Sequence, residues 1–165
     1  SIHVNSQPCN AMAVPGAYVT LNQTWRVGDT VKLELPLAST LVLGHPHIES
    51  VRGCVAIQRG PIVYCLEQAD QAPSVDVMDV EIEPTGQMRD SWQPDLLDGV
   101  ISVQAEGYAV ESRPWQGRLY KPAEKDSGVA PQPINLNAVP YYAWANRGPN
   151  AMRVWTPTTT TSQIT

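Results

Sequence analysis

Proline and glycine cut this chain into short pieces. Fifteen prolines and eleven glycines fall among 165 residues, and no segment between them carries an apolar stripe over three helical turns. Both residue types disrupt helix interiors, so a helical bundle is excluded. The stretches between the breaks alternate instead. In "AYVTLNQTWRVGDTVKLELPL", Val19, Leu21 and Trp25 fall on one side and Thr20, Asn22 and Thr24 on the other. After a turn at "RVGD", Val31, Leu33, Leu35 and Leu37 alternate with Lys32 and Glu34. This pattern predicts a two-strand hairpin with one buried face, with Pro36 ending regular pairing or sitting at an edge.

Further strands follow the same logic. "STLVLGHPHIES", "GCVAIQRGPIVYCLEQ" and "VISVQAEGYAV" are short and rich in β-branched residues. "VDVMDVEIEP" also alternates, with a slip of phase near Met78. Its acids, Asp76, Asp79, Glu81 and Glu83, read as the solvated side of an edge strand, where charge discourages pairing with other chains. "MRDSWQPDLLDG" has room for one helical turn. "EQADQAPS" (67–74) and "KPAEKDSGVAPQP" (121–133) read as loops. "TPTTTTSQIT" reads as a low-complexity tail. Short strands without intervening helices pack as antiparallel sheets face to face. The fold class is therefore all-β: an antiparallel β-sandwich of jelly-roll type, as one body or two small packed ones. The expected division is a first portion over 1–70 that lacks its opening strands, a second over 71–157, and a disordered tail over 158–165. The opening "SIHVNSQ" already reads as strand, so the start is expected to be a cut and not a natural beginning.

One short pattern occurs twice. "QRGP" (58–61) and "NRGP" (146–149) each separate two apolar runs. Both are read as a tight turn or bulge that uses Gly in a special backbone conformation. If Arg59 and Gly60 formed the first loop, Cys54 would stand opposite Cys65. The odd count of three cysteines, Cys9, Cys54 and Cys65, with no C-x-x-C, argues instead for buried reduced thiols.

Charge and motif exclude several functions. The net charge is -5 and no long Lys/Arg run exists, so no phosphate-tracking face for nucleic acid is expected. No apolar run approaches a membrane span, and the start lacks the charged and apolar regions of a signal peptide. Nucleophile-elbow, P-loop and dinucleotide motifs are absent. His45, His47 and Glu49 form an H-x-H-x-E array that would face one way on a strand, but Pro46 interrupts it and solvated polar groups are the favoured reading. No catalytic residue and no metal ligand is assigned.

Aromatic residues concentrate near the end. Four of the eleven lie in "YYAWANRGPNAMRVW" (141–155). On a strand, Tyr142 and Trp144 would share a face. Neighbouring Ala residues favour packing in a core or against another domain; the alternative is a sugar-stacking platform. Trp144 and Tyr142, with Trp115, are the candidate sugar-binding residues.

"YVTLNQTWRVGDTVKLELPL", "GCVAIQRGPIVYCLEQAD" and "VPYYAWANRGPNAMRVW" resemble the C-terminal region of glycoside hydrolase family 127, the β-L-arabinofuranosidase-like enzymes. The likeness covers 14–70 and 138–155, and more loosely 90–122. It implies a parent protein with a helical (α/α) barrel followed by β-sandwich domains. It further implies a retaining reaction by a cysteine nucleophile beside a zinc ion, with a glutamate as acid/base. All of that belongs to the barrel. None of the three cysteines here matches the barrel motif, and no cofactor is expected in this segment. Cys65 matches a cysteine of the sandwich, at a packing position; Cys54 stands where such proteins often carry arginine. The resemblance thus implies a non-catalytic region that is inactive alone and buttresses its own barrel. It also raises contacts between two copies, the edges of an incomplete sandwich being open to pairing. A carbohydrate-binding module with an arabinose-containing glycan as ligand, or an interaction domain without a sugar role, are the rivals.

Overall fold

A computed structural model of the chain describes residues 1–110, 119–120 and 130–159. Two compact units divide between Leu37 and Ala38. The expected division near residue 70 does not coincide with this boundary, and strands on either side of residue 70 are hydrogen-bonded in one sheet. The described residues contain strands and three short 3₁₀ turns, without an α-helix. No described helix is long and apolar enough to cross a membrane.

The first unit is a three-stranded antiparallel sheet of β1 (Ile2–Val4), β2 (Gln7–Pro8) and β3 (Val31–Leu33), in the order β2-β1-β3. Asn5 and Ser6, at φ 48° and 66°, form the two-residue turn between β1 and β2, the paired left-handed geometry that suits a hairpin. Asn5 then ties the unit together. Its side chain donates to Asp29 Oδ1 at 2.9 Å and accepts from the Thr30 N–H at 2.9 Å.

Val31–Leu33 pairs with Ile2–Val4, so the hairpin expected between 17–25 and 31–37 does not form. Alternation identified a strand at Val31 correctly but could not name its partner. Most apolar residues of this stretch stay exposed, with Tyr18 at 103%, Val27 at 109% and Leu35 at 64%, while Val19 and Leu21 are half-buried.

Among the described residues the second unit holds nine strands in one antiparallel sheet. They are β4 (Ser39–Leu43), β5 (Cys54–Arg59), β6 (Ile62–Glu67), β7 (Val80–Ile82), β8 (Met88–Gln93), β9 (Val100–Ala109), β10 (Gln132–Pro140), β11 (Met152–Arg153) and β12 (Thr156–Pro157). The path runs β12-β5-β6-β10-β9-β7, with β4 on β5, β11 on β6 and β8 on β9. Ile82 of β7 bridges Thr158 just past β12, and the Thr159 N–H donates to Ile82 O at 3.1 Å. The sheet therefore curls until β7 meets the residues just past β12, and the backbone groups at that seam are satisfied. Thr158 and Thr159, assigned to the tail from sequence, are part of this closure; the rest of that tail lies outside the described residues.

Inside the curl, Val55, Ile57, Tyr64, Leu66, Val80, Ile82, Val103 and Leu136 are buried. They come from alternate positions on β5, β6, β7, β9 and β10, as the period-2 pattern requires. Tyr64 keeps its hydroxyl satisfied by donating to Ile101 O at 2.9 Å. Gly107 of β9 is fixed by crowding. A Cβ there would lie 2.3 Å from Glu81 O and 2.8 Å from Leu136 Cδ1.

Two local expectations are corrected. The stretch from Met88 is strand β8, not a helical turn; its six residues pair with Val100–Ala105, and the turn falls at Leu97 and Asp98 with φ 51° and 61°. The β5–β6 loop is Gly60-Pro61, with Arg59 opposite Ile62. That register carries Cys54 away from Cys65, and all three cysteines are free. Gly60 has φ 56° and Gly148 has φ 95°, so both R-G-P sites do use glycine in the left-handed region.

Candidate functional site: an aromatic ledge on a buried ion pair

The stretch Glu67–Ser74, read from sequence as a loop, holds the most buried charge among the described residues. Glu67 closes strand β6 with 0% exposure. The 3₁₀ turn Gln68–Asp70 follows and places Asp70 beside it. Arg147, from the second R-G-P site, reaches between the two acids. Its Nη1 donates to Asp70 Oδ1 at 2.5 Å and its Nη2 to Asp70 Oδ2 at 2.6 Å, a two-pronged grip, while Nη2 also bonds Glu67 Oε2. Planar guanidinium geometry suits this arrangement better than a lysine would. The other oxygen of Glu67 accepts from the Ala145 N–H at 3.0 Å and from Asn150 Nδ2 at 3.3 Å.

Burial alone pushes the Glu67 carboxyl up. The hydrogen bonds from Ala145, Arg147 and Asn150 outweigh it and hold the group below the ordinary carboxylate range. Arg147 is raised, first by its hydrogen bonds to Asp70, which overcome the opposing burial, and then by those to Glu67. The glutamate is thus ionised and fully engaged.

These contacts fix the loop that carries the aromatic rings. Tyr141–Ala143 is a 3₁₀ turn following β10, not a strand. Tyr142 and Trp144 therefore do not share a face as alternation implied. The three-residue turn stacks Tyr141 against Trp144 instead, with ring centroids 6.4 Å apart and planes at 25°. Ala143 is buried beneath them, while Tyr141, Tyr142 and Trp144 remain 44%, 69% and 38% exposed. Ala145 sits at φ 63°, a conformation costly for a residue with a Cβ and maintained only where surrounding contacts impose it. Its N–H bond to Glu67 is one such contact. Trp115, the third candidate, lies outside the described residues.

Sequence reasoning missed Glu67, Asp70 and Arg147. The available signal was an acid at the end of a wholly apolar strand, together with an arginine in a glycine turn. The first R-G-P site repeats the theme in a milder form: Arg59 Nε meets Asp90 Oδ2 at 2.7 Å, and Ser39 Oγ donates to Asp90 Oδ1 at 2.5 Å.

The remaining candidates gather no chemistry. His45 and His47 are exposed and lie edge to face at 4.9 Å, with the His47 N–H donating to His45 Nδ1 at 3.2 Å; Glu49 begins a separate 3₁₀ turn. Cys65 is buried, and that burial pushes its thiol up to about 12, as befits a packing position. Among the described residues no three His, Cys, Asp or Glu side chains converge as a metal-ligand set.

The architecture defines an antiparallel β-sandwich domain with an aromatic loop anchored at one end. A family model described as the glycoside hydrolase family 127 C-terminal domain matches residues 39–157, and the chain belongs to that family. The match begins one residue after the second compact unit does.

A non-reducing end β-L-arabinofuranosidase of Bifidobacterium longum subsp. longum is 33% identical over 159 residues, covering 94% of this chain and 23% of that protein. The crystal structure of a GH127 β-L-arabinofuranosidase from Geobacillus stearothermophilus T6 aligns with a TM-score of 0.76 and 31% identity, over 96% of this chain and 24% of that one. A structure described as a glycoside hydrolase aligns with a TM-score of 0.82 and 31% identity, over 96% and 26%. The chain thus spans about a quarter of the length of these relatives.

Proposed function

We propose that this chain is a non-catalytic β-sandwich region of a β-L-arabinofuranosidase-like glycoside hydrolase, and that it buttresses a catalytic helical barrel. The observation that carries this reading is the apolar surface of the first unit. Met12, Val14, Tyr18, Trp25, Val27 and Leu35 are all more than 45% exposed in one short segment. Exposed apolar side chains at this density suit an interface, and relatives four times as long supply a partner in their own remaining chain. The zinc and the reacting cysteine implied by the resemblance would belong to that remainder. Contacts between two copies are a further role open to the same surface.

The test has two arms. The 165-residue chain is assayed on 4-nitrophenyl β-L-arabinofuranoside, and no turnover above buffer is expected. A longer protein carrying this region is then compared with one that ends before Ser1 and so lacks both units. Loss of barrel stability on truncation supports the buttress; hydrolysis by the 165 residues alone overturns it.

A second reading, saccharide binding at Tyr142 and Trp144 with Trp115 as a further contact, is favoured by one fact: the ledge rings are exposed on a rigid anchor. Affinity electrophoresis on arabinan with Trp144→Ala separates it from an interaction surface without a sugar role.

A further inference from the structure

The outward side of the β8–β9–β10 sheet is unlike an ordinary solvated face. On β9, Val103 and Ala105 point into the core, so Gln104, Glu106 and Tyr108 point the other way. On β10, Leu136 and Ala138 are buried, which turns Pro133, Asn135 and Asn137 outward. The register sets Asn135 opposite Glu106, Asn137 opposite Gln104 and Pro133 opposite Tyr108. Arg89 of β8 pairs with Gln104 from the other flank. Neighbouring strands thus bring amides, one carboxylate, one guanidinium and one phenol ring together.

This face is recessed. One cavity of about 270 Å³ is lined by Glu83, Glu106, Tyr108, Pro133 and Asn135. A second, of about 200 Å³, is lined by Gln87, Arg89, Gln104, Glu106 and Asn135. They share Glu106 and Asn135, and each is a shallow recess somewhat smaller than the ~300–1,000 Å³ typical of drug-sized ligand clefts. One wall is the bulge between β7 and β8. There the Gln87 N–H donates to Glu106 Oε2 at 3.2 Å, and Gly86 approaches so closely that a Cβ would lie 2.9 Å from Glu106 Cβ.

Much of the hydrogen-bonding capacity here is unspent. Among the described residues Asn135 makes no side-chain hydrogen bond, and Arg89 makes one, from Nη2 to Gln87 Oε1 at 3.3 Å. Gln104 spends its Nε2 on Asn137 Oδ1 at 3.2 Å and keeps its oxygen. Asn137 is locked by its bond to Asp70 O at 3.1 Å, so the floor is rigid and tied to the Arg147 anchor.

We infer that this groove is a binding site for a neutral oligosaccharide. Side-chain amides, a carboxylate and a guanidinium both donate and accept, which matches adjacent hydroxyls that do the same. Tyr108 and Pro133 offer an apolar surface for sugar C–H groups. Two carboxylates, Glu83 and Glu106, against one guanidinium disfavour a phosphate or nucleic-acid ligand. A polypeptide strand would add to an edge and not lie on a face. The inference rests on the glycoside-hydrolase reading for its choice of sugar and places that sugar away from the ledge.

The test is an NMR titration of the 165-residue chain with a linear L-arabinotetraose. Amide shifts are expected at Arg89, Gln104, Glu106 and Asn135, with at least about tenfold weaker binding in Asn135→Ala and Gln104→Ala. Both positions face outward, and Glu106→Gln serves as a variant that keeps an acceptor for the Gln87 N–H. No shifts, shifts confined to Tyr141–Trp144, or affinity unchanged in both alanine variants each overturn the groove. None of these results touches the buttress reading, which stands or falls on the truncation of the longer protein.

Discussion

Replacing Arg147 with alanine tests the anchor directly. Glu67 has no exposed surface, while Asp70 and Arg147 side chains are 11% and 23% exposed. Removing the guanidinium takes one charged bond from Glu67 and two from Asp70. Asp70 lies near enough to solvent to recover part of its hydration. Glu67 does not; it retains only the Ala145 N–H and Asn150 Nδ2. Breaking one side of a buried pair costs ~3–5 kcal/mol, and the partial exposure of Arg147 places the loss near the lower end, about 3 kcal/mol. For a domain of this size that lowers Tm by roughly 10 °C.

A pH dependence accompanies this loss, and its sign is fixed. The folded-state pKa of Glu67 lies below its unfolded value. Its contribution to stability is therefore full above ~4.3, the usual unfolded value, and disappears as pH falls through the folded value. Without Arg147, burial is opposed only by the Ala145 and Asn150 hydrogen bonds, so the carboxyl should rise relative to wild type. The penalty of the variant should then shrink on acidification, as protonation relieves the stranded charge. Urea melts of wild type and Arg147→Ala at pH 7 and pH 4 measure this. Adding Glu67→Gln to Arg147→Ala should restore more than half of the loss, because the amide oxygen still accepts from Ala145. A loss under about 1 kcal/mol that is the same at both pH values would refute the argument.

Gly107→Ala should destabilise by about 1–3 kcal/mol, since its new methyl meets Glu81 O at 2.3 Å, a backbone atom that cannot step aside; thermal melts report it. Thiol titration at pH 8 should find Cys65 unreactive in the native chain and reactive only on unfolding, because burial pushes that thiol up to about 12. Tyr142→Ala should leave stability within about 0.5 kcal/mol, its ring being 69% exposed. Trp144→Ala, with a ring 38% exposed and stacked on Tyr141, should cost less than the ~3–5 kcal/mol of a fully buried aromatic, read from chemical denaturation.

The strands were legible where a single chain segment decides its own periodicity. Val100–Ala109 is the strand its sequence suggests, and buried positions alternate with open ones from Ser102 to Tyr108 because one side meets the core of the curl. Pairing was not legible, because alternation is blind to partners. Val31–Leu33 advertises a strand, yet its ladder is with residues some 29 positions earlier. The break after Leu37 was equally hidden. It lies within an apolar, alternating run, where composition does not change.

The aromatic loop shows why its site resisted reading. Composition drew attention to the rings, while the groups that fix them lie about 80 residues earlier, in a stretch whose polarity resembles a loop. A buried network and a solvated loop have the same composition. They differ in whether each charge finds its complement in space. The two R-G-P sites make the comparison within one molecule. At 58–61 the glycine closes a two-residue hairpin, and Arg59 pairs with Asp90 of β8, a strand not paired with its own. At 146–149 the same letters turn a loop back over the end of β6, where Glu67 and Asp70 leave no other place for a guanidinium. Glycine supplies the same left-handed bend in both cases. The acids within reach of the arginine decide whether that bend merely reverses a strand or clamps a ledge of exposed rings in one position.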